Sequence, residues 1–226
     1  MLRGIFAIRL SPKRILKFAI GLTGIATLSA CHSFPLAPSE YVQRLDQTPF
    51  VMQNRSEAWV ATPTAQLVLE RRFRNVSEQR ISLPNRTSIP GENLILLQAH
   101  GTRYANVSRF MPVELLKIVG GVPAPFTSFD DLTLMSEQDA LGTLTWAVWT
   151  NNANLNCVLA FRRFDGTNRT VPLGAMAMDM ALRNCVYGTV EEALEPIGPG
   201  VTGYSAMSVG LGQRPQMLSP LAGPLP

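Results

Sequence analysis

Cys157-Val158-Leu159-Ala160-Phe161-Arg162-Arg163-Phe164, the turn Asp165-Gly166 and the run Met176-Ala177-Met178-Asp179-Met180-Ala181-Leu182-Arg183-Asn184-Cys185 decide the fold of this chain. The first is a short, mainly apolar run that ends at a turn signal, as a strand does. In the second, Met176, Met178, Met180 and Leu182 point one way and Ala177, Asp179, Ala181 and Arg183 the other. That period of two belongs to a strand with two different faces. The two strands form a natural antiparallel pair. Cys157 opens one and Cys185 closes the other, so a bond between them would clamp the open end of the hairpin.

Working outward, the same strand habit recurs. Gly142 to Trp149 alternates Leu144, Trp146 and Val148 against Thr143, Thr145 and Trp149, with Asn151-Asn152 as turn residues. Towards the N-terminus, Asn93 to Ala99 reads as a strand entered from the turn Pro90-Gly91-Glu92. Glu78 to Leu83 places Gln79, Ile81 and Leu83 on one face and Arg80 and Ser82 on the other. Ala65 to Arg74 is a further strand joined to it through Asn75-Val76-Ser77, and Trp59-Val60-Ala61 is a weaker one. Helical spacing appears at Met111, Leu115 and Ile118, with Pro112 near the start and Gly120-Gly121 at the end. Thr189-Val190-Glu191-Glu192 has the form of a capping box for a short helix stopped by Pro196. The sum is an α+β domain over residues 57–195: a mostly antiparallel sheet, with one or two short helices against one face.

On either side of that domain the composition changes. Residues 31–56 are polar and punctuated by proline, and read as a tether. Residues 196–226 hold six prolines and six glycines with almost no charge, and read as a largely disordered tail. The first 30 residues have the pattern of a signal peptide. Arg3, Arg9, Lys13, Arg14 and Lys17 form a basic region without an acidic residue, and Phe18 to Ala30 comes next as an apolar stretch too short to span a bilayer. The close of this segment, Leu28-Ser29-Ala30-Cys31, resembles the lipobox of bacterial lipoproteins. The resemblance implies that Cys31 is acylated and anchors the mature protein to a membrane, and that the chain faces the periplasm. His32 stands where an aspartate would direct retention in the inner membrane, so the outer membrane is the expected location.

This division overturns the simplest reading of the charge. The chain carries 20 basic and 16 acidic residues, but five of the basic ones precede Cys31. Beyond Cys31 the chain has 15 basic against 16 acidic residues, and Lys117 is the only lysine there. The basic balance therefore gives no warrant for a nucleic-acid partner. With Cys31 assigned to lipid, Cys157 and Cys185 remain as an even pair in an oxidising compartment. Two buried thiols or a catalytic cysteine are the competing readings. A nucleophile needs a base, and only His32 and His100 are at hand. The disulfide is the expectation.

The search for chemistry is otherwise sparse. No G-x-S-x-G elbow, H-E-x-x-H pair or phosphate-binding glycine loop occurs, and nothing in the sequence calls for a metal or cofactor. The methionine stripe lacks the softer partners of a copper site and reads as core filling. Asp130, Asp131, Glu137 and Asp139 are the one acidic cluster, and a glycosidase would need two such carboxylates across a cleft. Adjacent aspartates in a polar connection are more often a solvated loop. Arg72 and Arg74 offer directed donors for a sugar, and Trp149 a stacking surface, against the plainer reading of cross-strand ion pairs and core packing.

Leu69-Glu70-Arg71-Arg72-Phe73-Arg74-Asn75, then Gln79-Arg80-Ile81, then Pro90-Gly91-Glu92-Asn93, resembles the cellulose biosynthesis protein BcsN family. Cys157-Val158-Leu159-Ala160-Phe161 and Leu182-Arg183-Asn184-Cys185 continue the likeness, which covers residues 65–195. The chain departs from the family pattern in its longer basic N-terminal segment, and in Trp146 to Asn156 standing where an aromatic Tyr-Gly stretch is expected. The resemblance implies a non-catalytic lipoprotein accessory to bacterial cellulose biosynthesis and export, with subunits of the synthase and export complex as partners. It carries no catalytic residues. Nor does it carry ligand residues: Trp149, Arg72 and Arg74 are candidate glucan contacts on the residues alone. An envelope scaffold or secretion-system lipoprotein without a link to cellulose is the alternative.

Overall fold

A computed structural model describes residues 38–74, 76–101 and 109–206. The chain divides between Gln43 and Arg44, and the unit that begins at Arg44 carries one eight-stranded sheet. Helix α1 (Pro38–Gln47) straddles that division. The strands are β1 (Val51–Gln53), β2 (Leu67–Phe73), β3 (Val76–Leu83), β4 (Asn93–His100), β5 (Met135–Asp139), β6 (Gly142–Thr150), β7 (Leu155–Asp165) and β8 (Ala177–Tyr187). Their order across the sheet is β1-β2-β3-β4-β8-β7-β6-β5, and every neighbouring pair is antiparallel. The helices of this unit are α2 (Pro112–Leu116), α3 (Val190–Leu194) and α4 (Pro199–Thr202). The class is α+β.

The hairpin of β7 and β8 is the middle of the structure. Cys157 stands directly opposite Cys185, with the sulfurs 2.06 Å apart at disulfide-bonding distance. Strand β8 is buried along nearly its whole length, because both of its faces are covered. One face presents Met178, Met180 and Leu182 to a core with Val158, Ala160, Phe164, Ile95 and Ile81, as the alternation requires. The other presents Ala181 and Cys185 to Leu159, Phe161, Leu94 and Leu96.

The helices divide between these faces. Ala193 of α3 and Ile197 pack on the first, and Leu115 and Leu116 of α2 on the second. The expectation of helices against one face is corrected accordingly. A sheet whose central strands are apolar on both sides must be covered on both to bury them. Local signals place two of the helices. Pro112 opens α2, and the turn that continues it ends at Gly120, whose φ of 90° suits a residue without a Cβ. Thr189 and Glu192 close a capping box at the start of α3.

The boundaries expected at residues 57 and 195 also move. Val51–Gln53 pairs with β2, so the sheet begins inside the segment read as tether. Beyond Pro196 the chain remains in the fold, since Ile197, Val201 and Thr202 are buried and Ala206 donates to the Ala58 carbonyl. The disordered tail expected over 196–226 is thus corrected for 196–206. Residues 207–226, the signal segment and Cys31 lie outside the described residues.

Trp59-Val60-Ala61 is not a strand but a buried irregular segment. Its polar backbone is satisfied from elsewhere: the Trp59 amide donates to Gln79 Oε1 at 2.8 Å and the Ala61 amide to the Tyr204 carbonyl at 2.9 Å.

Candidate functional site

The residues with chemistry to offer fall into three places. The first is a cleft of about 310 Å³ beside β2, walled by the 53–59 segment, the connection 169–172 and Ser205. Its volume is at the lower end of the range for small-molecule sites, roughly 300–1,000 Å³. Alternation along β2 turns Val68 inward to the core and brings Glu70 and Arg72 to the same face, further along. Glu70 is buried and accepts from Arg72 Nε and from Gln79 Nε2, the latter at 3.2 Å. Gln79 faces Glu70 directly across the β2–β3 pairing. Its amide also donates to the Glu57 carbonyl, which ties the 53–59 segment to the sheet.

Arg169 lies within this wall and is 1 % exposed. It donates to the carbonyls of Thr202 and Trp59, and to that of Thr170 at 3.2 Å, but among the described residues to no carboxylate. Burial pulls its pKa down to about 10, so it stays charged at neutral pH.

The second place is a polar row on the opposite face. Arg71 Nε donates to Glu78, and Gln98 Nε2 reaches the other oxygen of the same carboxylate at 2.9 Å. Two strands further on, Asp179 meets His100 Nε2 at 2.8 Å and takes two bonds from Arg163, at 2.5 and 2.8 Å. Burial by itself would push the Asp179 pKa up. The bonds from Arg163 and His100, with their charges, outweigh it and hold the carboxyl below its ordinary value. In the sequence His100 stands out only as a base for a cysteine, and this group is not visible there. No local pattern announces it, because the three residues come from β4, β7 and β8 and meet only through the sheet register.

The third is a groove of about 270 Å³ whose lining includes Glu137, Asp139, Glu191 and Glu195. Asp139 is already engaged by Arg162 at 2.6 Å. Asp130 and Asp131 sit in a turn before β5 and line neither cleft. Among the described residues no group of three or more His, Cys, Asp or Glu is arranged to hold a metal ion.

The expected contacts Arg72, Arg74 and Trp149 do not converge. Arg72 is exposed at the first cleft. Arg74 leads the two-residue turn after β2, with a φ of 53° and its guanidinium 5.8 Å from the Phe73 ring centroid. Trp149 is half-buried on β6, five strands away from β2 and on the other face, against the cluster of Leu159 and Phe161. Trp146, also half-buried, packs on the first face, where its indole Nε1 finds no partner among the described residues. Two tryptophans three residues apart on a strand are thus divided between two cores.

The fold and its cleft define a small α+β domain with a cysteine pair at bonding distance across its central hairpin. No family model, curated protein or solved structure matches the chain.

Proposed function

We propose that this chain is a lipid-anchored, non-catalytic protein of the bacterial outer membrane, accessory to cellulose biosynthesis and export. The observation that carries the location is the cysteine pair at bonding distance in the central hairpin, since such bonds persist in oxidising compartments. It agrees with an N-terminal segment patterned for export and with Cys31 in a lipobox-like setting. The link to cellulose rests on the resemblance. The stretches that carry it are also the ones that build two linked parts of the molecule. Glu70 and Arg72 line the cleft beside β2, with Gln79 bonded to Glu70 behind it, and Pro90, Gly91 and Asn93 hold Arg183 on β8.

The role is positional in this reading. The lipid fixes one end, and the sheet domain meets subunits of the synthase and export complex on the periplasmic side. The test is cellulose output, by dye binding and enzymatic glucose release, in cells lacking the gene and complemented with wild type or with Cys31→Ser. The expected result is loss of cellulose that wild type restores and Cys31→Ser does not. Unchanged output in the deletion strain would overturn the reading and leave an envelope scaffold unrelated to cellulose.

A further inference from the structure

We propose that the cleft beside β2 binds a neutral, hydroxyl-rich ligand, of the kind presented by the end of a saccharide chain. The inference goes beyond the accessory role and stands on the geometry of the cleft. Its charged groups decide what is excluded. Glu70 is matched by Arg72 and Gln79, the Glu57 carboxylate takes the Asn54 amide at 3.0 Å, and Arg169 is spent on backbone carbonyls. Glu57 and Glu70 together balance Arg72 and Arg169, so the cleft has no net charge to offer an ion. An anion would have to approach two carboxylates, and a cation two guanidinium groups, each at a cost in a partly desolvated site.

What remains is hydrogen-bonding capacity. Among the described residues, the two terminal amino groups of Arg72, the amide of Gln53 and the hydroxyls of Ser56 and Thr170 have no bond to the protein. They supply donors and acceptors of both kinds around one opening. Arg72 is set for this task. Its Nε is held by Glu70, which fixes the plane of the guanidinium and leaves the outer fork free. Ala58, Trp59, Val171 and Pro172 add apolar lining, and Ser205 completes the wall. Alternate polar and apolar lining matches the edge and face of a sugar ring, whereas an extended polymer would need a longer groove.

The test is titration of the full chain with cellotetraose, maltotetraose and laminaritetraose, monitored by amide shifts in NMR. A galacturonic acid trimer and a chitosan tetramer serve as anionic and cationic probes. At least one neutral tetraose is expected to bind saturably and to shift the amides of Gln53, Ser56, Arg72 and Thr170. Arg72→Ala and Gln53→Ala are each expected to weaken that binding about tenfold, the loss of a hydrogen bond to a charged or amide group. Arg80→Ala, on the other face of the sheet, should leave it unchanged. Because Arg72→Ala also frees a buried carboxylate, Thr170→Val provides a second variant at an exposed position that leaves the Glu70 pair intact. No saturable binding of any neutral tetraose would overturn the proposal, as would binding that survives all three cleft variants or tighter binding of either charged probe. A silent titration would not alter the phenotype of the deletion strain, nor an absent phenotype the titration, so the two proposals fail separately.

Discussion

Replacing Arg169 by methionine should loosen the C-terminal part of the fold, and its contacts set the size of the effect. The guanidinium donates to three carbonyls, two of them on the buried residues Trp59 and Thr202. Hydrogen bonds from a charged donor contribute about 1.5–3 kcal/mol each, so the three sum to roughly 5–9 kcal/mol. Against this stands the cost of burying the charge. A guanidinium whose pKa burial draws down to about 10 carries a penalty of roughly 3 kcal/mol, at about 1.4 kcal/mol for each pH unit. Methionine fills much of the same space and removes that penalty together with the bonds. The net expectation is a loss of about 2–6 kcal/mol, with the two buried carbonyls left unpaired as its physical origin. Urea unfolding should show a lower midpoint with an unchanged slope. Hydrogen exchange should show faster opening at the amides of Thr202 and Gly203, which lie in α4 and its end. Arg169→Lys should recover only part of the loss, because one ammonium cannot span carbonyls from separate segments. A methionine variant within about 0.5 kcal/mol of wild type, or protection at Thr202 unchanged, would refute the reasoning.

Three further outcomes are expected. Reducing the Cys157–Cys185 bond, or replacing both residues by serine, should cost about 3–4 kcal/mol in the chain-entropy account, given a separation of 28 residues. Unfolding midpoints with and without reductant check this, and identical midpoints would show that the bond does not form. Asp179 should make stability acid-sensitive: its folded pKa is depressed, so its contribution is complete above the unfolded value of about 3.9 and is lost as pH falls through the lower folded value. Asp179→Asn should flatten that part of the stability–pH curve, and an unaltered acid slope would count against the Arg163–Asp179–His100 group as its source. Thr189→Ala should cost about 1 kcal/mol by removing the N-cap of α3, read from the unfolding midpoint, and an unchanged midpoint would mean that the cap is idle.

How much of this was legible in the sequence depended on whether the signal was local. The β7–β8 hairpin was, because alternation in Met178, Met180 and Leu182 and the placing of two cysteines are local patterns. So was the capping box at Thr189. Strand β5 was not: Met135–Asp139 lies at the sheet edge, mostly exposed, and its polar residues read as a connecting loop with an acidic cluster. The three residues of β1 were too few to show any period. Trp59-Val60-Ala61 looked like a strand because it is apolar, yet its backbone bonds come from a glutamine side chain and from residues after 200. The cleft was legible only in part. Arg72 was singled out, but Gln53, Arg169 and Thr170 join it from segments that no single-sequence pattern connects.

The same distinction explains the end of the domain and the choice of basic residue. Proline and glycine in 196–206 limit regular structure to short helical turns, and composition alone therefore suggests disorder. What keeps this segment ordered is supplied from outside it: Arg162 donates to the Ile197 carbonyl and Arg169 to that of Thr202. Arg183 does the same for the loop before β4, through the carbonyls of Pro90 and Gly91 and the side chain of Asn93. All three arginines are at most 2 % exposed. Arg169 and Arg183 span carbonyls and the Asn93 side-chain amide from separate segments, and Arg162 joins the Ile197 carbonyl to the Asp139 carboxylate, tasks for several donors in a fixed fork and not for a single ammonium. This accounts for a globular part in which basic residues are almost all arginine. Arg72 differs from these three. Its Nε is held by the Glu70 carboxylate, but its side chain is 60 % exposed and, among the described residues, its fork meets no carbonyl. An arginine anchored at Nε, with its outer donors left open at a cleft, is the feature on which the proposed binding rests, where the buried three act as struts.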